Sequence, residues 1–378
     1  MRSKKNSAVP INQASLSKRL QCLKRKLAAE SVDVCLIDSP LDLLYYTGLK
    51  LSAGYLIVSR RSAALFVDGR YIQMAKEKAP MQVFLDGPGG FEGVLKKENA
   101  KKMAFDSSRV PYDQFIRLKK RGKPIGVQLI PDAQLFQGLR AIKDREEIEK
   151  MRQSAHLAYK GFLFIRGILK TGITEQEVAR KFEIFCLEQG AEKLSFEPII
   201  AFGKNSAMPH YRPQQVSLKP ADIVLIDIGV VLDKYHSDMT RVLFFQKQDP
   251  FFKQVYEVVL GAQKAALEEC VPGSAVETLD LAARKVMRKA KLEPHFLHSL
   301  GHGIGLETHE YPRLSSQGKD AKVHLKPGMA VTIEPGLYFQ GRGGIRYEDT
   351  VVVTESGYEN LYPEMDNSML IVKSSRGK

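Results

Sequence analysis

Ile223-Val224-Leu225-Ile226-Asp227-Ile228-Gly229 sets one aspartate inside an otherwise apolar run that reads as a strand. Burying a lone carboxylate is costly unless it is paired or bound to a cation. The chain turns through Leu232-Asp233-Lys234-Tyr235-His236 and returns as Ser237-Asp238-Met239-Thr240-Arg241-Val242-Leu243-Phe244-Phe245. A second acid, Asp238, is therefore expected on the return strand of a hairpin, facing Asp227. Two like charges in that position repel unless something positive lies between them. A solvent-exposed pair capping a loop is the bland alternative, and the apolar flanks argue against it.

Working outward, three further segments carry the same kind of signal. His298-Ser299-Leu300-Gly301-His302-Gly303-Ile304-Gly305-Leu306-Glu307-Thr308-His309-Glu310 gathers three of the chain's 8 histidines. Its glycines argue against a helical HExxH zinc motif and for a strand or loop that passes close to a neighbour. Met329-Ala330-Val331-Thr332-Ile333-Glu334-Pro335-Gly336 ends an apolar strand on an acid and turns at once. In Gly344-Ile345-Arg346-Tyr347-Glu348-Asp349-Thr350-Val351-Val352-Val353, Glu348 precedes a β-branched strand. Each acid alone could be a strand-end residue facing water. Four carboxylates with an imidazole suit Mn²⁺, Fe²⁺, Co²⁺ or Zn²⁺ rather than a thiolate site. Two such ions about 3.5–4 Å apart can hold and acidify one water and polarise a carbonyl, an apparatus for hydrolysis. There is no GxSxG nucleophile elbow, no P-loop and no convincing dinucleotide fingerprint.

A length of 378 residues predicts two domains, and 44% apolar with 26% charged residues is ordinary globular composition. Cys22, Cys35, Cys186 and Cys270 form no CxxC pair, so reduced thiols of a cytoplasmic protein are expected. No run of about 20 apolar residues supports a membrane span. The basic start MRSKKNSAVPINQ has no apolar core behind it, so secretion is not expected. The net charge of +14 invites a nucleic-acid hypothesis. The charge is dispersed, however, no basic run is interleaved with stacking aromatics, and Trp is absent, so nucleic acid is not expected as a partner.

Residues 1–15 read as a flexible tail. Leu16, Leu20, Leu23 and Leu27 then fall at helical spacing, and alternating β and α patterns give a small α/β domain over 16–139. Asp144 opens a long helix running to about Ile168, and Thr174 with Glu177 forms a capping box for the next. Two further helices are predicted at roughly 250–270 and 275–291. The second domain is set at 140–378, and the fold class is α/β (α+β).

These motifs, in this order, resemble the pita-bread metallopeptidases (the creatinase, aminopeptidase P and prolidase group), most nearly the Xaa-Pro branch. Leu43-Leu44-Tyr45-Tyr46-Thr47-Gly48 and Val67-Asp68-Gly69-Arg70-Tyr71 look like the creatinase-type N-terminal domain, and Pro209-His210-Tyr211-Arg212-Pro213 looks like the Xaa-Pro signature. The resemblance covers nearly the whole chain. It implies metal ligation by Asp227, Asp238, His302, Glu334 and Glu348, with Asp238 and Glu348 bridging two divalent ions, most nearly Mn²⁺. It also implies proton transfer and intermediate stabilisation by His210, His298 and His309, a proton shuttle at Glu334, and an orienting role for Arg346. It further implies a homo-oligomer, dimer or tetramer.

The activity so implied is that of an Xaa-Pro aminopeptidase of the aminopeptidase P kind, acting on peptides with proline at position two. An Xaa-Pro bond is a tertiary amide with no N–H for a general peptidase to grip. The alternative is prolidase, an Xaa-Pro dipeptidase, and the reading from another class is a non-catalytic peptide- or protein-binding module. Methionine aminopeptidase shares the ligands but normally lacks the N-terminal domain, and a creatinase-like C–N hydrolase has no need of them.

Overall fold

The computed structural model describes residues 12–362 and 371–373. The chain divides into two compact units, one of them Ala8–Arg140 and the other beginning at Ala141. Of the expected tail, residues 1–11 lie outside the described residues. The remainder is not tail. The Asn12 side chain accepts from the Ala14 N–H and starts a helix at Gln13–Ala29. An N-cap of this kind satisfies an otherwise unpaired first-turn donor, so the helix begins before its first leucine. Leu16, Leu20, Leu23 and Leu27 form its buried face.

The first unit is built on a six-stranded sheet in the order Gln82–Leu85, Ala63–Val67, Tyr55–Ser59, Val34–Ile37, Lys102–Phe105, Gln128–Pro131. The central Val34–Ile37 strand is buried throughout, as expected of a strand covered on both faces. It pairs antiparallel with Tyr55–Ser59 and parallel with Lys102–Phe105. The segment expected to be a short helix or turn is the Pro40–Thr47 helix. Ser39 caps it, and Gly48 closes it in the left-handed region at φ 72°.

The second unit opens on the helix pair Arg145–Ile168 and Glu175–Glu188, each with a complete capping box, Asp144 with Glu147 and Thr174 with Glu177. A second pair, Pro250–Glu268 and Val276–Lys289, packs Val255, Val259, Leu279 and Ala283 against Val331, Ile333 and Val351 of the sheets. Each fully buried aliphatic side chain there contributes on the order of 1.5–3 kcal/mol of transfer free energy. The sheets themselves bring the acids together. Ile223–Ile228 pairs antiparallel with Met239–Phe245, and both strands are buried along their length. Asp233 and Lys234, at φ 50° and 75°, turn the chain between Val230–Leu232 and Tyr235–His236, as a two-residue primed hairpin turn requires.

Register corrects one expectation. The residue opposite Asp227 is Thr240, not Asp238. The ladder is interrupted at Ser237-Asp238, where the Tyr362 hydroxyl takes the Asp238 N–H at 3.1 Å and donates to the Asp238 carbonyl at 2.7 Å. The side-chain hydroxyl replaces a strand partner and frees the Asp238 backbone from the regular pleat. Thr240 in turn forms a bridge with Glu348. Ala330–Ile333 pairs with Asp349–Val353 so that Ile333 faces Asp349, which leaves Glu334 and Glu348 at the same end of that pair.

Candidate metal centre

The strand ends converge on one cavity of about 560 Å³. Its lining includes Asp227, Asp238, His302, Glu334 and Glu348, and also His210, His298, His309 and Arg346. Every residue singled out in the sequence thus reaches the same space, although they come from six separate segments. Gly301 makes one approach feasible: a Cβ there would lie 2.0 Å from the Thr332 carbonyl oxygen. With hydrogen only at that position, the Gly301–Gly303 strand crosses close to Ala330–Ile333, and the His302 N–H reaches Thr332 Oγ1 at 3.1 Å.

His302 is presented as a ligand. Its Nδ1 lies 2.9 Å from the Gly303 carbonyl, which can only accept, so Nδ1 carries the proton and Nε2 offers its lone pair. Nε2 sits 3.7 Å from Asp238 and 3.5 Å from Glu334. Burial and the neighbouring His309 push His302 down to about 3, so the ring is neutral. Asp238, His302 and Glu348 offer ligand atoms that all lie within 4.8 Å of one another.

The acids are short of positive charge. Asp238 is held well above the usual carboxylate range by burial and then by Glu348, Asp227 and Glu334. Glu334 is raised by burial and Glu348. Glu348 is pushed up to about 8 by burial and Asp227. Buried Arg346 answers this cluster. It donates to Asp227 Oδ2, to Thr240 Oγ1 at 3.1 Å and to the Tyr338 hydroxyl at 2.7 Å. The other oxygen, Asp227 Oδ1, is buried without a hydrogen-bond partner among the described residues. An orphaned carboxylate oxygen, crowded acids and an imidazole lone pair facing them are the donor set that divalent cations need. The residues therefore fit the metal ions that the motifs imply.

The other three histidines at the cavity differ from one another. His298 has both nitrogens engaged: Nδ1 with the Ser299 carbonyl at 2.8 Å and Nε2 with the Tyr338 hydroxyl at 2.9 Å. Since Arg346 donates to Tyr338, the tyrosine proton points to His298 Nε2. Burial and Arg346 push His298 down to about 4. His309 lies against His302 with ring centroids 4.3 Å apart, and His210 sits exposed at the cavity edge.

Thr240, Tyr338 and Tyr362 had no sequence signal of their own; they act through partners 108, 40 and 124 residues away. Arg313 was also missed. It lines the cavity and lies directly opposite His302 in the ladder, so both side chains leave the same sheet face.

Residues 149–355 match the description "Metallopeptidase family M24", and residues 19–142 match "Creatinase/Prolidase N-terminal domain". The chain belongs to metallopeptidase family M24. It is thus an enzyme of the pita-bread Xaa-Pro group that its motifs resemble. Among M24 relatives, the Xaa-Pro dipeptidase of Pyrococcus furiosus is 35% identical over 349 residues, covering 92% of this chain and 98% of that protein. The crystal structure of the prolidase from Pyrococcus horikoshii superposes with a TM-score of 0.84 at 33% identity, covering 92% of this chain and 99% of the other. The X-Pro aminopeptidase from Thermotoga maritima gives 0.82 at 30% identity, covering 92% and 100%. Among the described residues of this M24 chain, no helix is long and apolar enough to cross a membrane.

Proposed function

We propose that the chain is a two-metal Xaa-Pro dipeptidase, which releases the residue in front of a C-terminal proline. The observation that carries this reading is Arg313 on the same face as the ligand His302. A guanidinium one residue's reach from the metal ligands suits the terminal carboxylate of a dipeptide, which it can grip with two parallel hydrogen bonds. The whole-length likeness to Xaa-Pro dipeptidases supports the same choice over the aminopeptidase P reading that the motifs first suggested. The likeness to an X-Pro aminopeptidase keeps the longer-substrate reading as the second one.

Asp227, Asp238, His302, Glu334 and Glu348 would hold the ions, most nearly Mn²⁺, with Co²⁺, Fe²⁺ or Zn²⁺ as substitutes. When bound, the ions supply an acidified water and polarise the scissile carbonyl. Thr240, at 2.6 Å from Glu348, and Arg346, on Asp227, fix the orientation of two of the acids. Glu334 is placed to receive a proton from the attacking water and deliver it to the leaving proline nitrogen. His309 and His210 face the cavity with no hydrogen bond between either ring and another described residue, so they can donate to the developing oxyanion. His298 holds Tyr338, and through it Arg346, rather than moving protons. The enzyme is read as cytoplasmic, with its thiols free, and as a homo-oligomer.

The test is cleavage of leucyl-proline and leucyl-prolyl-glycine by metal-stripped protein, with and without added Mn²⁺. Manganese-dependent cleavage of the dipeptide alone is expected. Equal cleavage of both would return the reading to aminopeptidase P. Stoichiometric metal with neither peptide cut would sink both in favour of a binding module.

A further inference from the structure

The segment 203–216 forms one wall of the cavity and carries Pro209, His210, Tyr211 and Arg212 to it. It contains a single short turn of 3-10 helix, Gly203–Ala207, and no strand. The His210 ring makes no hydrogen bond to another described residue, so its place depends on how its backbone is held. The Arg212 guanidinium at the mouth pairs with Glu197 at 3.2 Å, and both side chains are well exposed. An exposed pair of that kind is worth little. Irregular backbone of this length is ordinarily mobile unless something fixes it.

Glu175 is that something. It is the first residue of the Glu175–Glu188 helix and is wholly buried, although its backbone lies at a helix end. Its carboxylate collects four donors, and all belong to residues 202–214. Oε1 accepts from the Phe202 N–H at 2.8 Å and Asn205 Nδ2 at 2.9 Å. Oε2 accepts from the Tyr211 hydroxyl at 2.7 Å and the Gln214 N–H at 3.0 Å. Asn205 Nδ2 also donates to the Tyr211 hydroxyl at 2.9 Å, which closes the ring of bonds. Four donors fill the four lone-pair positions that a carboxylate offers. The site at the first turn of a helix further favours negative charge. The backbone around it continues the tether: the Glu175 N–H reaches the Val216 carbonyl and the Gln176 N–H the Gln214 carbonyl. On the other side, Ser206 Oγ accepts from the Gly344 N–H at 2.9 Å, two residues before Arg346.

We propose that Glu175 is a positioning residue for peptide cleavage: its carboxylate rivets the 203–214 segment and so holds His210 and Arg212 at fixed places in the substrate wall. The proposal deepens the peptidase reading and rests on it for its kinetic consequence. No part of Glu175 lines the cavity, and it touches no metal ligand. Its effect is expected on substrate binding more than on the ions.

The experiment compares the wild-type holoenzyme with Glu175→Gln, Tyr211→Phe and Asn205→Ala. A glutamine at 175 turns one acceptor into a donor that faces the Gln214 N–H or the Phe202 N–H, neither of which can reverse. Expected for Glu175→Gln are amide hydrogen exchange at least tenfold faster over 203–216 and unchanged over Ile223–Ile228. KM for leucyl-proline should rise at least fivefold and kcat should fall with it, because a loosened His210 is a poorer oxyanion donor, while bound Mn²⁺ stays unchanged. Tyr211→Phe and Asn205→Ala each remove two bonds of the ring and leave the carboxylate in place, so both should shift both readouts in the same direction by less. If Glu175→Gln does not fold, those two variants decide the matter. Unchanged exchange over 203–216 in the folded variants overturns the proposal, as does a KM rise that follows loss of metal. If the wild-type enzyme cleaves no Xaa-Pro peptide, the peptidase reading fails, while the exchange comparison still decides whether Glu175 holds the wall.

Discussion

Arg346 donates to one oxygen of Asp227, while the other oxygen of that carboxylate is buried and has no hydrogen-bond partner among the described residues. One carboxylate is thus half committed to an internal cation and half left for an external one. The guanidinium also holds Thr240 and Tyr338, so its fork fixes the direction of the vacant lone pair.

Replacing that fork should be felt at the metal before it is felt by the fold. Arg346→Lys keeps the charge but cannot reproduce the planar three-way geometry. A 10- to 100-fold loss in Mn²⁺ affinity is expected, the usual cost of disturbing a group that orients a ligand. Titration calorimetry on the metal-stripped protein checks this. Wild-type affinity in the variant would show that Asp227 is held by its strand alone.

Removing the ions should make stability depend on pH in a stated direction. Asp238, Glu334 and Glu348 all have folded-state pKa values raised by burial and by one another. A carboxyl raised in the folded state contributes stability that is complete below its unfolded value and is lost as pH climbs through the folded one. For Glu348 that window runs from the ordinary 4.5 to about 8. Metal-stripped protein should therefore melt at a lower temperature at pH 8 than at pH 5, and saturating Mn²⁺ should remove the difference. A flat profile without metal would count against the electrostatic account of the site.

Glu334→Gln keeps the side chain's size and one oxygen but removes proton transfer. Turnover of leucyl-proline should fall by about 10²- to 10⁴-fold, the usual range for general acid–base catalysis. Circular dichroism and melting temperature should stay close to wild type. Activity within tenfold of wild type would assign the proton to another group.

Arg313→Met tests substrate length. If the guanidinium grips a dipeptide's carboxylate, KM for leucyl-proline should rise at least tenfold, about 1.4 kcal/mol or more of lost binding. Steady-state kinetics with the amide leucyl-prolinamide, which has no carboxylate, should show no such change. An equal loss for both compounds would place Arg313 elsewhere in the mechanism.

The histidines should separate by their hydrogen bonds. His298 has both nitrogens occupied, so His298→Gln, which can still accept from Tyr338, should keep kcat within about tenfold of wild type. His309→Gln should lose on the order of 10²-fold, the scale of one removed oxyanion donor. The reverse order in measured kcat would restore a proton-transfer role to His298.

Much of the site could be read from the chain because burying a charge is expensive. Asp227 in an apolar strand, Glu334 at the end of another and histidines among glycines each break a local rule, and rules broken together mark a site. The cap at Asp144 and the capping box at Thr174 were equally local and appear as expected. Register was not local. Which residue faces Asp227 depends on where the ladder breaks, and that is set by Tyr362, whose hydroxyl bonds 124 residues back along the chain.

By itself, the sequence marked the fold class, the four acids and the histidine cluster, because these follow from patterns within a few residues, while the choice of His302 within that cluster came from the family resemblance. Only the tertiary structure decided what those groups do for one another. It left one oxygen of Asp227 without a partner, occupied both nitrogens of His298, set Arg313 opposite His302 and gave Glu175 its four donors. The physical reason is that a hydrogen bond is decided by direction and distance, and between segments far apart in the chain these exist only once the strands have paired.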